Sequence, residues 1–104
     1  MAKRLPGEPP KLARKAPAAR RAFAIRLYEA RKRLYDDAID FAKFTGLPPR
    51  NYNRYESAES AVPLHHLATI ARGLEESLDW LILGDESARR HKPPVKPVKI
   101  AAAE

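Results

Sequence analysis

The 104-residue chain has no cysteine, which removes disulfides, thiolate nucleophiles and thiolate metal ligands together. No apolar run approaches the roughly 18 residues that a membrane-spanning helix needs, so no membrane association is expected. The basic N-terminus has no apolar stretch of the secretory kind, and a cytoplasmic protein is expected. There is no glycine-rich phosphate loop, and no serine sits in a recognisable motif with a histidine and an acid. His65 and His66 are adjacent, but neighbouring residues on a helix face apart and no third ligand has suitable spacing, so no metal site is expected. Asp36, Asp37 and Asp40 cluster at a helix start, where carboxylates cap more readily than they catalyse. Neither an enzyme nor a cofactor is expected. Strand-like alternation is missing as well, which leaves an all-α chain.

What the chain does have is positive charge, unevenly placed. The formal net charge is +7. Residues 1–21 carry seven basic side chains against one acid, residues 22–84 carry eight against nine, and residues 85–104 carry five against three. The central part is nearly neutral and the excess lies at the two ends, an arrangement suited to a polyanionic partner. Solubilising tails would show the same distribution.

Proline marks the boundaries. Pro6, Pro9, Pro10 and Pro17 punctuate the first segment, and Pro93, Pro94 and Pro97 the last. Each removes a backbone donor and fixes φ, so regular structure is not expected at either end. The chain divides into a flexible basic arm over 1–17, a helical domain over 18–84 and a flexible, polyproline-like, Pro/Lys-rich tail over 85–104. Both tails are expected to be disordered. About sixty residues make a marginal core unless helices pack closely or the chain dimerises.

Within the domain, Phe23, Leu27, Ala30 and Leu34 form one stripe of a first helix over about 18–34, with Arg26, Lys32 and Arg33 on its other face. Asp36 or Asp37 can cap a second helix with Ala38, Phe41 and Ala42 inward, ending at Thr45-Gly46. Pro48-Pro49 opens a third helix that runs to about Glu56, with Tyr52 and Tyr55 inward and Leu47 plugging the turn. Pro63 opens a fourth, with Leu64, Leu67, Ile70, Ala71 and Leu74 inward and Gly73 marking its end. Ser77 caps a short fifth that carries Leu78, Trp80, Leu81, Ile82 and Leu83 up to Gly84.

The third helix is too polar for a core element and carries Arg50, Asn51, Asn53 and Arg54. A polar, basic helix delivered by a glycine turn is what major-groove reading requires. The order of elements, together with Arg26-Leu27, Ala30-Arg31, Phe41-Ala42, Gly46-Leu47, Asn53-Arg54-Tyr55-Glu56, Pro63-Leu64 and the closing run from Ser77 to Gly84, resembles the Xre/Cro-type helix-turn-helix family, the lambda-repressor-like DNA-binding domains. The resemblance spans about residues 22–84. It implies a five-helix domain whose third helix enters the major groove. Pro49, Arg50, Asn53 and Arg54 then stand where side chains reach base edges, and Asn51 stands where phosphate or sugar is touched. An arginine fork matches guanine O6 and N7, and an asparagine can match adenine N6 and N7. A different role for Arg54 is to pair with Glu56 or Asp40 and brace the fold.

Two positions depart from the family pattern. Ala38 stands where a glutamine often holds the DNA backbone, and Ser57-Ala58-Glu59-Ser60-Ala61 stands where glycine and basic residues are common. The basic arm, through Lys3, Arg4, Arg14, Lys15, Arg20 and Arg21, is expected to supply the missing phosphate contacts. Four consecutive large apolar residues cannot all be buried by so short a helix. Either two point inward and one is exposed, or the fifth helix makes a homodimer with Trp80, Ile82 and Leu83 as interface candidates. A dimeric repressor acting on double-stranded DNA at an inverted-repeat operator is therefore expected. The competing readings are an antitoxin or other module that uses the fold to hold a protein partner, an architectural binder driven by the tails, and an RNA binder.

Overall fold

Pro17, with φ fixed and no donor to leave unpaired, leads into the first helix of a bundle. The structure, a computed structural model, describes residues 12–90. Among them are five α-helices and no strand: α1 (Ala18–Leu34), α2 (Ala38–Thr45), α3 (Pro49–Glu56), α4 (Leu64–Leu74) and α5 (Leu78–Leu83), followed by one 3-10 turn, Glu86–Ala88. The termini of the helices follow local chemistry. The Asp37 side chain accepts from the Ile39 N–H at the start of α2, and Ser77 does the same for Asp79 at the start of α5. Gly46 and Gly84 take the left-handed conformation after α2 and α5, at φ 81° and 75°.

The core lies where α1 crosses the other four helices. Phe23, Leu27 and Ala30 of α1 meet Phe41 and Ala42 of α2, Leu47 of the turn, Tyr52 and Tyr55 of α3, Ile70, Ala71 and Leu74 of α4, and Trp80 and Leu81 of α5. Leu27, Phe41, Tyr52, Ile70, Leu74, Trp80 and Leu81 are fully buried, each aliphatic or phenyl side chain contributing roughly 1.5–3 kcal/mol. The turn between α2 and α3 is closed by the Leu47 N–H donating to the Ala42 carbonyl at 2.9 Å, which drops the Leu47 side chain into the core.

Several expectations need correction. Leu34 is not on the buried stripe of α1 but is 41 % exposed, at the last residue of the helix. Leu64 is 81 % exposed at the first turn of α4, where no element lies over it. Gly73 does not end α4; the helix continues to Leu74, and Glu75 supplies the left-handed residue at φ 57°. Gly73 serves the crossing of α2 and α4 instead. A Cβ there would lie 2.7 Å from Thr45 Cγ2 and 3.2 Å from Phe41 Cζ, so a hydrogen is what lets these helices approach.

Both presumed tails have structured portions. Ala16 is buried with Ala24 and Ala58, and Leu12 and Ala13 pack on the same cluster. At the other end the guanidinium of Arg89 stacks over the Trp80 ring at 4.2 Å and pairs with Glu29 at 3.2 Å, while the Trp80 indole N–H donates to Glu86 at 3.1 Å. Ordered structure therefore reaches past 18–84 on both sides. Residues 1–11 and 91–104, with Lys3 and Arg4 and the three tail prolines, lie outside the described residues.

Candidate nucleic-acid interface

The eight residues of α3 divide cleanly by face. Tyr52, Tyr55 and Glu56 are buried, whereas Pro49, Arg50, Asn51, Asn53 and Arg54 are all exposed. Burial of only three positions cannot explain why this helix holds one pose, since its mean character is polar. The explanation is an ion pair that sequence reasoning did not identify. Glu56 is held by Arg31 of α1 through two bonds, Nε to Oε2 and Nη2 to Oε1, each 2.8 Å. The Tyr52 hydroxyl donates to the same carboxylate at 2.5 Å. Arg31 also donates from Nη1 to the carbonyls of Tyr35 and Asp36, at 2.9 and 2.7 Å. One guanidinium thus ties the α1–α2 link to the end of α3, which sets the two helices of the helix-turn-helix relative to each other.

The electrostatics of this cluster follow from burial. Desolvation works against the charged Arg31, but the hydrogen bonds and charge of Glu56 outweigh it and hold the guanidinium more firmly protonated than usual. The Tyr52 hydroxyl is pushed well above the ordinary tyrosine range, chiefly by burial and then by the neighbouring Glu56 charge. Arg31 and Glu56 both lie within quoted motifs, Ala30-Arg31 and Asn53-Arg54-Tyr55-Glu56. The signal that would have joined them is a basic and an acidic residue at inward positions of helical stripes, where each needs a partner.

With Glu56 taken, it is not available to Arg54. Among the described residues no hydrogen bond or ion pair engages the side chains of Arg50, Asn51, Asn53 or Arg54, and the bracing role for Arg54 through Glu56 or Asp40 is not what the structure shows. Asn53 and Arg54 instead border a groove of about 560 Å³ between α1 and α3, with Tyr28, Lys32, Asp36 and Glu59 also on its wall. Lys32 and Arg54 bring positive charge to it and Asp36 and Glu59 negative charge. Lys32, assigned by sequence to the face of the first helix opposite its apolar stripe, is thereby placed beside the exposed side of α3.

The remaining predicted site residues are scattered. Arg14 and Lys15 are exposed. Arg20 and Arg21 are partly buried and their Nε atoms donate to the carbonyls of Ala58 and Ala16, at 3.0 and 3.2 Å, so they tie the arm to the domain rather than projecting freely. Of the dimer candidates, Trp80 is fully buried within the single chain and is a core residue, packed in the main apolar cluster with Arg89 stacked over its ring. Ile82 and Leu83 are 42 and 75 % exposed. Arg26 and Arg33 of α1, also read as an outer face, donate to the carbonyls of Leu81 and Ile82 and of Leu74, at 2.8, 3.0 and 3.0 Å. They satisfy the orphan carbonyls that end α5 and α4. His66 Nδ1 lies 2.7 Å from the Tyr55 hydroxyl, and among the described residues no three metal-ligating side chains come together. No described helix is long and apolar enough to cross a membrane.

In a comparison with known proteins, the family model described as helix-turn-helix matches residues 27–81, more than half of the chain. No curated protein and no solved structure matches.

Proposed function

Given that the chain belongs to the Xre/Cro-like helix-turn-helix family, whose members are DNA-binding regulators of transcription, we propose that it reads a specific operator with α3 and acts as a dimeric repressor. The observation that carries this reading is the contrast across α3. One face is locked by Tyr52, Tyr55 and the Arg31–Glu56 pair, and the other presents Pro49, Arg50, Asn51, Asn53 and Arg54 with no partner among the described residues. A rigid helix with unengaged donors is prepared for base edges, since little further ordering is needed on binding.

Arg50 and Arg54, one turn apart, carry the guanine-type contacts; Asn53 the adenine-type contact; Asn51 touches phosphate or sugar. Ile82 and Leu83, with Leu78 at 40 % exposure, supply the apolar face for a second copy. A twofold dimer would set its two α3 helices about 34 Å apart on an inverted repeat. Occupancy would then exclude polymerase.

Retention of fragmented genomic DNA on the purified chain at physiological salt tests the reading. A few sharply enriched sites sharing an inverted repeat are expected; flat coverage would remove sequence-specific reading by α3. On an enriched fragment, Arg50→Ala is expected to lower affinity by about 1–3 kcal/mol and to relax preference at one base pair. Equal loss on mixed-sequence DNA would remove Arg50 from base recognition.

A further inference from the structure

The turn that follows α3 has a position suited to backbone contact and the wrong charge for it. Residues 57–62 contain Glu59 and no lysine or arginine. Against this turn the chain lays its own residues 12–17. The Ala13 N–H donates to the Ser57 carbonyl at 2.7 Å, and Arg20, 38 residues from its acceptor, donates to the Ala58 carbonyl at 3.0 Å. Ala58, fully buried, packs with Ala16 and Ala24, and with Leu12 and Ala13 at the edge.

Among the described residues, Ala58 is one of two non-glycine residues with positive φ, at 66°. A glycine would hold that backbone without steric penalty. The alanine contributes what glycine could not, a methyl group in the cluster that seats the N-terminal segment. Between the anchor points Arg14 and Lys15 stay exposed, next in sequence to the residue bonded to Ser57. Their charges therefore lie beside the end of α3, on a segment fixed at Ala13, Ala16 and Arg20.

We propose that residues 12–17 form a phosphate clamp grafted onto the α3–α4 turn, in which Ala13, Ala16 and Ala58 hold Arg14 and Lys15 against the DNA backbone and supply the positive charge that the turn itself lacks. This rests on DNA recognition by α3 and adds to it a fixed site for the sequence-independent part of binding. A merely charged, free arm would act through its charge alone. A clamp depends also on the Ala13 N–H and the Ala58 methyl group, neither of which bears charge.

Fluorescence anisotropy across a salt series, using the full chain, a mixed-sequence DNA duplex and the fragment most enriched from genomic DNA, separates these cases. Replacing Arg14 and Lys15 together with alanine is expected to make the log–log salt slope shallower by about 1.8, from roughly 0.9 per phosphate contact, on both DNAs alike. Ala13→Pro removes the donor and keeps every charge; Ala58→Gly removes the methyl group and relaxes the backbone. Each is expected to weaken both DNAs and to flatten the slope in the same direction, with the preference for the enriched fragment unchanged and, for Ala58→Gly, the thermal midpoint not lowered enough to unfold the chain. Wild-type affinity and slope in both Ala13→Pro and Ala58→Gly would overturn the clamp, as would an unchanged slope in the Arg14/Lys15 double variant. If the clamp variants behave as wild type while Arg50→Ala still relaxes the preference at one base pair, the clamp falls and base reading stands. Failure of the wild-type chain to bind either DNA overturns both.

Discussion

Arg31 and Arg26 stand five residues apart on α1, and each secures one short helix, α3 and α5 respectively. They do so by different chemistry. Arg31 meets a specific carboxylate, Glu56, in a bidentate pair whose side chains are 5 and 8 % exposed. Arg26 meets the backbone carbonyls of Leu81 and Ile82 at a partly exposed site, where burial lowers its affinity for its proton and the charge of Glu86 offsets part of that loss. A buried pair permits one register only, because any slip leaves an uncompensated charge inside. Carbonyl capping accepts any sequence that ends a helix there. The helix proposed to read bases is held by the exacting device, and the helix with the apolar outer face by the tolerant one. Base contacts demand a pose fixed within a fraction of an ångström, whereas α5 needs only to stay docked.

Breaking the stricter hold gives the largest effect. Arg31→Ala is expected to cost about 3–5 kcal/mol, a large share of the 5–15 kcal/mol typical of a domain, and chemical denaturation should show a folded fraction that is reduced or absent. If Arg31→Ala costs no more than Arg26→Ala, the contrast between the two holds is wrong. Tyr52→Phe removes one bond to the Glu56 carboxylate and is expected to cost about 1.5–3 kcal/mol near neutral pH. This variant also sharpens the comparison through pH. The folded chain keeps Tyr52 protonated above its ordinary range, so its contribution is complete below the unfolded value of about 10 and is lost as pH rises through the higher folded value. Thermal midpoints of the wild type should therefore fall more steeply at alkaline pH than those of Tyr52→Phe; parallel curves would contradict the assigned burial.

Arg26→Ala is expected to cost only about 1–2 kcal/mol, since the carbonyls it frees lie where water can replace it. Amide exchange should increase in α5 and stay unchanged in α3. Smallest in stability is Leu83→Lys, within about 0.5 kcal/mol for so exposed a side chain, yet sedimentation should show the proposed dimer weakened. An unchanged association state would remove the α5 face as the interface.

The residues that set helix boundaries were legible because their partners lie within four positions. Pro17, Asp37, Gly46, Pro48, Ser77 and Gly84 each act on the turn beside them, and the stripe Phe23, Leu27, Ala30 follows from helical geometry alone. The exposed set Arg50, Asn51, Asn53 and Arg54 was legible for the same reason, as the polar complement of Tyr52 and Tyr55. Gly73 misled because a glycine near a helix end has two uses, a stop or a crossing point, and only Thr45 and Phe41 across the interface distinguish them. Trp80 misled because its cover is Arg89, in a stretch whose composition reads as tail.

The sequence by itself determined the all-α class, the helix limits other than the end of α4, the polar face of α3 and the family, since all of these are written in spacing and local capping. The tertiary structure decided which arginine meets Glu56, where Arg26 and Arg33 end, that Leu64 has no cover, and that residues 12–17 lie on the turn after α3. The pairings among them join residues 25 to 56 positions apart, and a pairing at that range depends on which surfaces the whole fold brings together rather than on any pattern along the chain.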